Sequence, residues 1–229
     1  MANVLIEEQT LTDIADAIRA KSGKTDKMLP NAMSEEITNL SGGANIECGV
    51  KYLEFDEYNR VTKAMIYHKG NINEFCLYGQ SCVTNVTFSN DNVTSIGTHA
   101  FYLCTYLNFT QLPDAIIDID NYAFAQCSKL SLNKLPASLT TIREGVFQNC
   151  TSLAITEIPS EVTTIKEYAF QSCQKIVNLT FKGTPTNIHS KAFIGCSNIK
   201  TINVPWAEGE VTGAPWGATN ATINYNYTG

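Results

Sequence analysis

The sequence predicts a β-solenoid of 23-residue repeats, mainly β with short turns and 3-10 helices, preceded by a small helical segment and a β-hairpin cap. Three observations predict it. Phe101, Phe124, Phe147, Phe170 and Phe193 recur every 23 residues without a gap. Cys104, Cys127, Cys150, Cys173 and Cys196 keep the same step, as do Ile96, Ile119, Ile142, Ile165 and Ile188. The residue before each Phe is small: Ala100, Ala123, Val146, Ala169 and Ala192. A fixed period in the low twenties is that of one coil stacked on the last.

The chain opens, over residues 1–43, with a segment that reads as two helices. Thr10 caps the first, with Asp13 three positions on. Leu11, Ile14, Ala15 and Ile18 form an apolar stripe at helical spacing. Arg19 and Lys21 suit its C-terminal end, and Gly23 stops it. Pro30 opens the second helix, whose apolar face is Met33, Ile37 and Leu40. Gly42 and Gly43 make a linker. Two such helices bury too little surface to stand alone, so residues 1–43 are expected to attach to a partner or to copies of themselves.

Residues 44–81 read as the hairpin cap of the solenoid. Val50–Phe55 and Val61–Tyr67 are strand-like, with a polar turn from Asp56 to Arg60 between them. Residues 82–205 hold the repeats. In one coil, from Cys150 to Phe170, Leu153 and Ile155 have the two-residue step of a strand, and Ile158 follows before Pro159 ends the run. Val162 and Ile165 start a second extended run, and Tyr168, Ala169 and Phe170 turn the chain back. Every apolar position faces into the coil, and the Phe ladder is the main adhesive. Beyond Pro205 the period is lost. Residues 206–229 are expected to cap the last coil with Trp206 and Trp216, in preference to a sugar-stacking role for the two indoles.

These units, such as Ile-Arg-Glu-Gly-Val-Phe-Gln-Asn-Cys-Thr-Ser-Leu (142–153) and Ile-Lys-Glu-Tyr-Ala-Phe-Gln-Ser-Cys-Gln-Lys-Ile (165–176), resemble the BspA-like leucine-rich repeat family. The resemblance implies a leucine-rich repeat solenoid used for adhesion and display, without a common active site. A second resemblance lies in Leu-Thr-Asp-Ile-Ala-Asp-Ala-Ile-Arg-Ala-Lys-Ser-Gly-Lys-Thr-Asp-Lys-Met-Leu-Pro (11–30) followed by Met-Ser-Glu-Glu-Ile (33–37). It is similar to the N-terminal segment of tailed-phage structural proteins of Gram-positive hosts. The stretch 205–218, with its two Pro-Trp pairs, is similar to endings of phage repeat proteins. Both imply a virion attachment piece.

Composition narrows the function. The 229 residues carry a net charge of −6, which excludes nucleic acid as the expected partner. Residues 1–43 hold four basic and seven acidic side chains, whereas residues 82–205 hold eight of each. Met1–Thr10 shows no secretory signal, and no stretch is long enough to cross a membrane. Seven Asn-X-Thr triplets, among them Asn85, Asn149 and Asn226, read as Thr-rich strand chemistry. Five of the eight cysteines share one rung, where parallel Cβ vectors disfavour bridges, so they are expected to be free thiols filling a tight corner. No cysteine spacing suits zinc.

No catalytic, metal or cofactor site is expected. His68, His99 and His189 fall apart, and Asp114, Asp118 and Asp120 read as a solvated turn. What remains is a surface. The outward strand positions Asn108, Thr110, Ser131, Asn133, Thr156, Asn178 and Thr201 are the candidate binding residues, suited to protein or glycan. The main expectation is a non-enzymatic phage structural protein, on the tail or baseplate, that docks on a virion protein or on itself through residues 1–43. It would be a homo-oligomer meeting a host surface through the solenoid, with no membrane insertion. The alternative is a bacterial BspA-like adhesin at the cell surface.

Overall fold

A computed structural model of the chain describes residues 50–58, 60–66, 70–88 and 93–229. The chain divides into two units, Met1–Glu47 and Cys48–Gly229, and every described residue lies in the second. The helices expected between residues 10 and 40 and the linker at Gly42 and Gly43 lie outside the described residues.

The described chain is a parallel β-solenoid of about seven turns. β1 (Val50–Phe55) and β2 (Val61–Ile66) form an antiparallel hairpin. Asp56 holds its turn by accepting the Tyr58 and Arg60 backbone N–H groups, each at 2.9 Å. β2 then pairs in parallel with β4 (Asn85–Phe88), so stacking begins inside the stretch expected to cap the solenoid. On one side of the coils lie β3 (Gly70–Ile72), β5 (Val93–Ile96) and β6 (Asp118–Ile119). The same side continues with β7 (Thr141–Ile142), β9 (Thr164–Ile165) and β11 (Asn187–Ile188). On another side, β8 (Glu157–Ile158), β10 (Asn178–Phe181), β12 (Thr201–Asn203) and β13 (Thr222–Asn224) make a four-stranded sheet. Most strands are only two to four residues long, because each coil turns three corners in 23 residues. Leu153 and Ile155 are buried as expected, although the first strand of their coil is confined to Glu157–Ile158.

The register explains the repeat. Ile142 pairs with Ile165 and Ile165 with Ile188, so identical side chains stack rung on rung. At the third corner the Phe backbone is tied to the next coil. Phe101 N–H donates to Ala123 O at 2.8 Å, Phe124 to Val146 O at 3.0 Å and Phe147 to Ala169 O at 2.9 Å. Four of the five Phe turns use two left-handed residues flanking the Phe, for example Tyr122 and Gln126, then Gly145 and Asn149; the Phe193 turn has one, Gly195. Gly145 has a second reason to be glycine, since a Cβ there would collide with the Tyr122 ring stacked over it.

Stacking continues past the repeats that the eye can find. Ile72 pairs with Ile96, 24 residues later, and Leu77 donates its N–H to Ala100 O at 2.7 Å, where the later coils have Phe. At the other end Thr222 pairs with Thr201, 21 residues earlier, although the sequence period is lost beyond Pro205. Trp216 is fully buried and Trp206 is 3% exposed, packed edge-on to each other and against Phe181. Neither indole presents a face to solvent.

Close approach of the coils sets one backbone requirement with a measurable consequence. A Cβ on Gly183 would sit on the carbonyl oxygen of Ser160 in the preceding coil. Gly183→Ala is expected to cost about 1–3 kcal/mol, the scale of forcing atoms into a packed site. A urea melt indistinguishable from wild type would show that the loop relaxes freely.

Candidate binding face

The core that supports the face is a ladder of rings and thiols. Successive Phe centroids from Phe101 to Phe193 are 5.0, 5.8, 5.7 and 5.1 Å apart, with planes within 14° of parallel. The five ladder cysteines are free thiols, and all five are buried. They are more than apolar filler. Cys150 Sγ donates to Phe124 O of the preceding coil at 3.0 Å, and the same carbonyl accepts Cys127 N–H at 3.1 Å. Cys104, Cys127, Cys173 and Cys196 repeat the bond at 2.9–3.1 Å. The thiol thus uses the second lone pair of a buried carbonyl. The signal for this was in the sequence: a rung needing only volume is as well filled by Ala or Val, and all five copies have Cys.

This role separates two substitutions. Cys150→Ala should lose about 1–3 kcal/mol through the bond and the space it vacates. Cys150→Ser keeps a donor and should lose less in a denaturant melt. The reverse order would show that the sulfur acts through its volume alone.

The predicted outward residues do point outward. Asn108, Thr110, Asn133, Thr156 and Asn178 are exposed, and Ser131 and Thr201 are half-buried. Between them Leu132 and Ile155 are buried and Phe109 packs against the core, which gives the in–out alternation. The structure joins these residues in short polar ladders. Ser131 Oγ bonds to Asn108 Oδ1, and Thr201 Oγ1 donates to Asn178 Oδ1 at 2.8 Å. Ala154 and Val177 stand between the two pairs, and no side-chain bond connects them among the described residues. Thr110 and Thr156 are tied in by their carbonyls, which accept Asn133 N–H at 3.3 Å and Thr180 N–H at 2.9 Å.

A neighbouring column, two residues after each ladder cysteine, adds what the sequence reading missed. Tyr106, Lys129, Ser152 and Lys175 stand there, and with Lys63, Thr84, Asn85, Asn108 and Ser131 they line an open groove. Tyr106 is 58% exposed.

Asp118, Asp120 and His99 have structural partners. Asp118 is held by Arg143 of the next coil through two bonds, at 3.0 and 3.1 Å, and Asp120 lies 3.8 Å from the same guanidinium. His99 is stacked between Phe75 and Tyr122 at 5.3 Å each, and burial lowers its pKa. No group of three metal-ligating side chains occurs among the described residues, and no helix among them is long and apolar enough to cross a membrane.

A parallel solenoid with a Phe–Cys corner and a polar strand face is a leucine-rich repeat scaffold. The family model for the BspA type leucine rich repeat region matches residues 70–205 in six copies, and the chain belongs to that family. Solved structures of similar fold include a leucine rich repeat protein of T. pallidum, 22% identical with a TM-score of 0.50, covering 79% of this chain and 81% of that one. A leucine-rich repeat protein from Bacteroides ovatus is also 22% identical, with a TM-score of 0.52, over 68% of this chain and 45% of its own. The pneumococcal vaccine antigen PcpA is 15% identical, with a TM-score of 0.52, over 72% and 44%. No curated protein matches the sequence.

Proposed function

We propose that this protein is a non-enzymatic adhesin-type scaffold, displayed at a bacterial surface, whose solenoid binds a protein or glycan on another surface. The observation that carries this reading is the outward strand face. Asn108, Ser131, Asn178 and Thr201 add nothing to the apolar core, yet they form ordered polar ladders on a rigid support. Membership of the BspA-type family supports it, because solenoids of this kind serve as protein-binding scaffolds. Beads carrying the full chain should adhere to epithelial cells or bacterial envelopes above albumin-coated beads. Thr110→Arg with Asn178→Arg should reduce that adhesion at unchanged melting temperature. Adhesion no greater than that of albumin beads would end the proposal.

A second reading is favoured by one observation, the resemblance of residues 11–30 and 33–37 to phage structural proteins. On it, residues 1–43 dock to a virion protein or to themselves. Truncation to residues 44–229 then yields a monomer by light scattering where the full chain is oligomeric. Unchanged oligomeric state, or absence of the protein from purified virions by mass spectrometry, removes this reading.

A further inference from the structure

The charges of this protein are segregated by face. The net charge is −6. The strand-side segments after the ladder cysteines, 104–113, 127–136, 150–159, 173–183 and 196–205, nevertheless contain one carboxylate, Glu157. Lys182 already pairs with it at 3.0 Å. The groove of about 630 Å³ on this side is lined by Lys63, Lys129 and Lys175 and by no acid. Glu54 neutralises Lys63 at 2.6 Å. Lys129 and Lys175 have no ion pair among the described residues.

We propose that this groove binds an acidic polysaccharide, with Lys129 and Lys175 holding its carboxylates and Tyr106 stacking on a sugar face. The inference rests on the adhesin reading and names its ligand class. Lys129 and Lys175 occupy one repeat column two coils apart, a separation of about 10 Å along the axis. That spacing suits an extended polymer whose charges recur along its length. Ser152 stands between the lysines, and Ser131 and Asn108 line the groove beside them; these small hydroxyl and amide side chains match sugar hydroxyls. Tyr106 pairs with no other aromatic ring among the described residues and is 58% exposed, which leaves ring surface for a pyranose. An acidic peptide is the poorer fit, because the lysine column is flanked by hydroxyl and amide side chains that match the hydroxyls of a sugar polymer.

The test is alginate, a linear polyuronate, titrated into the full chain at low salt, with dextran and polyglutamate as comparison polymers. Alginate is expected to bind, with affinity falling as salt rises. Dextran should not bind, and polyglutamate should bind at least tenfold more weakly than alginate. The double variant Lys129→Glu/Lys175→Glu should weaken alginate at least tenfold with an unchanged melt. Tyr106→Ala should weaken alginate severalfold and leave polyglutamate unaffected. No alginate binding, full binding by the double variant, or equal binding of polyglutamate would overturn the inference. If the double variant still adheres to cells while alginate does not bind, the adhesin reading stands and only the ligand class fails.

Discussion

Phe147→Ala should lower the free energy of unfolding by about 3–5 kcal/mol, the range for deleting a fully buried aromatic ring. It should also cost more than Phe193→Ala. The two side chains are equally hidden, at 1% and 0% exposure, so burial does not distinguish them. Their neighbours do. Phe147 has parallel rings on both sides, Phe124 at 5.8 Å and Phe170 at 5.7 Å. Phe193 has one, Phe170 at 5.1 Å, and beyond it the last coil begins with its N–H bonded to Trp216 O at 2.9 Å. One aromatic pair contributes about 0.5–1.5 kcal/mol beyond burial, and that is the expected gap between the variants. Denaturant melts of both proteins decide it, and equal losses would mean that ring stacking adds nothing to packing.

Alkaline pH should unfold the protein through the thiol ladder. Burial pushes Cys104 up from 9.0 to about 12, and it also raises Cys127, Cys150 and Cys173. Below about pH 9 these thiols are protonated whether the chain is folded or not, and their contribution to stability is complete. Above it the unfolded chain ionises them while the folded core keeps them neutral. Stability is therefore lost as pH rises toward the folded values, by about 1.4 kcal/mol per pH unit for each thiol. Several thiols acting together make the fall steep. Urea melts between pH 8 and 11 should show it, with a shallower slope in Cys150→Ala, which has one thiol fewer. A slope identical in the two proteins would remove the thiols as the cause.

The central coils were legible because stacking imposes itself on sequence. A residue that meets its own equivalent above and below must satisfy the same space in every copy, so Phe124, Cys127 and Ile142 recur in register. The outward positions were legible for the same reason, from the alternation about Leu132 and Ile155. The terminal coils were not. Ile72 and Leu77 in the first, and Thr222 with Trp216 in the last, meet a full neighbour on one side only, which relaxes both the spacing and the residue type.

The phage expectation rested on residues 11–30, 33–37 and 205–218. The family match supports the adhesin alternative better than the phage reading. The groove went unread because Lys129 and Lys175 look like ordinary solvated charges in one dimension. Their meaning depends on what stands between and beside them, and Tyr106 and Ser152 are supplied by other coils.

By itself, then, the sequence determined the repeat, its 23-residue step and which side chains enter the core, because burial against identical neighbours is a condition on each residue type. Tertiary structure alone decided where stacking starts and stops, the second bond to the carbonyls of Phe101, Phe124, Phe147 and Phe170, and the basic groove. Each of those depends on distances between coils, and residues 21 to 24 apart become neighbours only once the chain has wound.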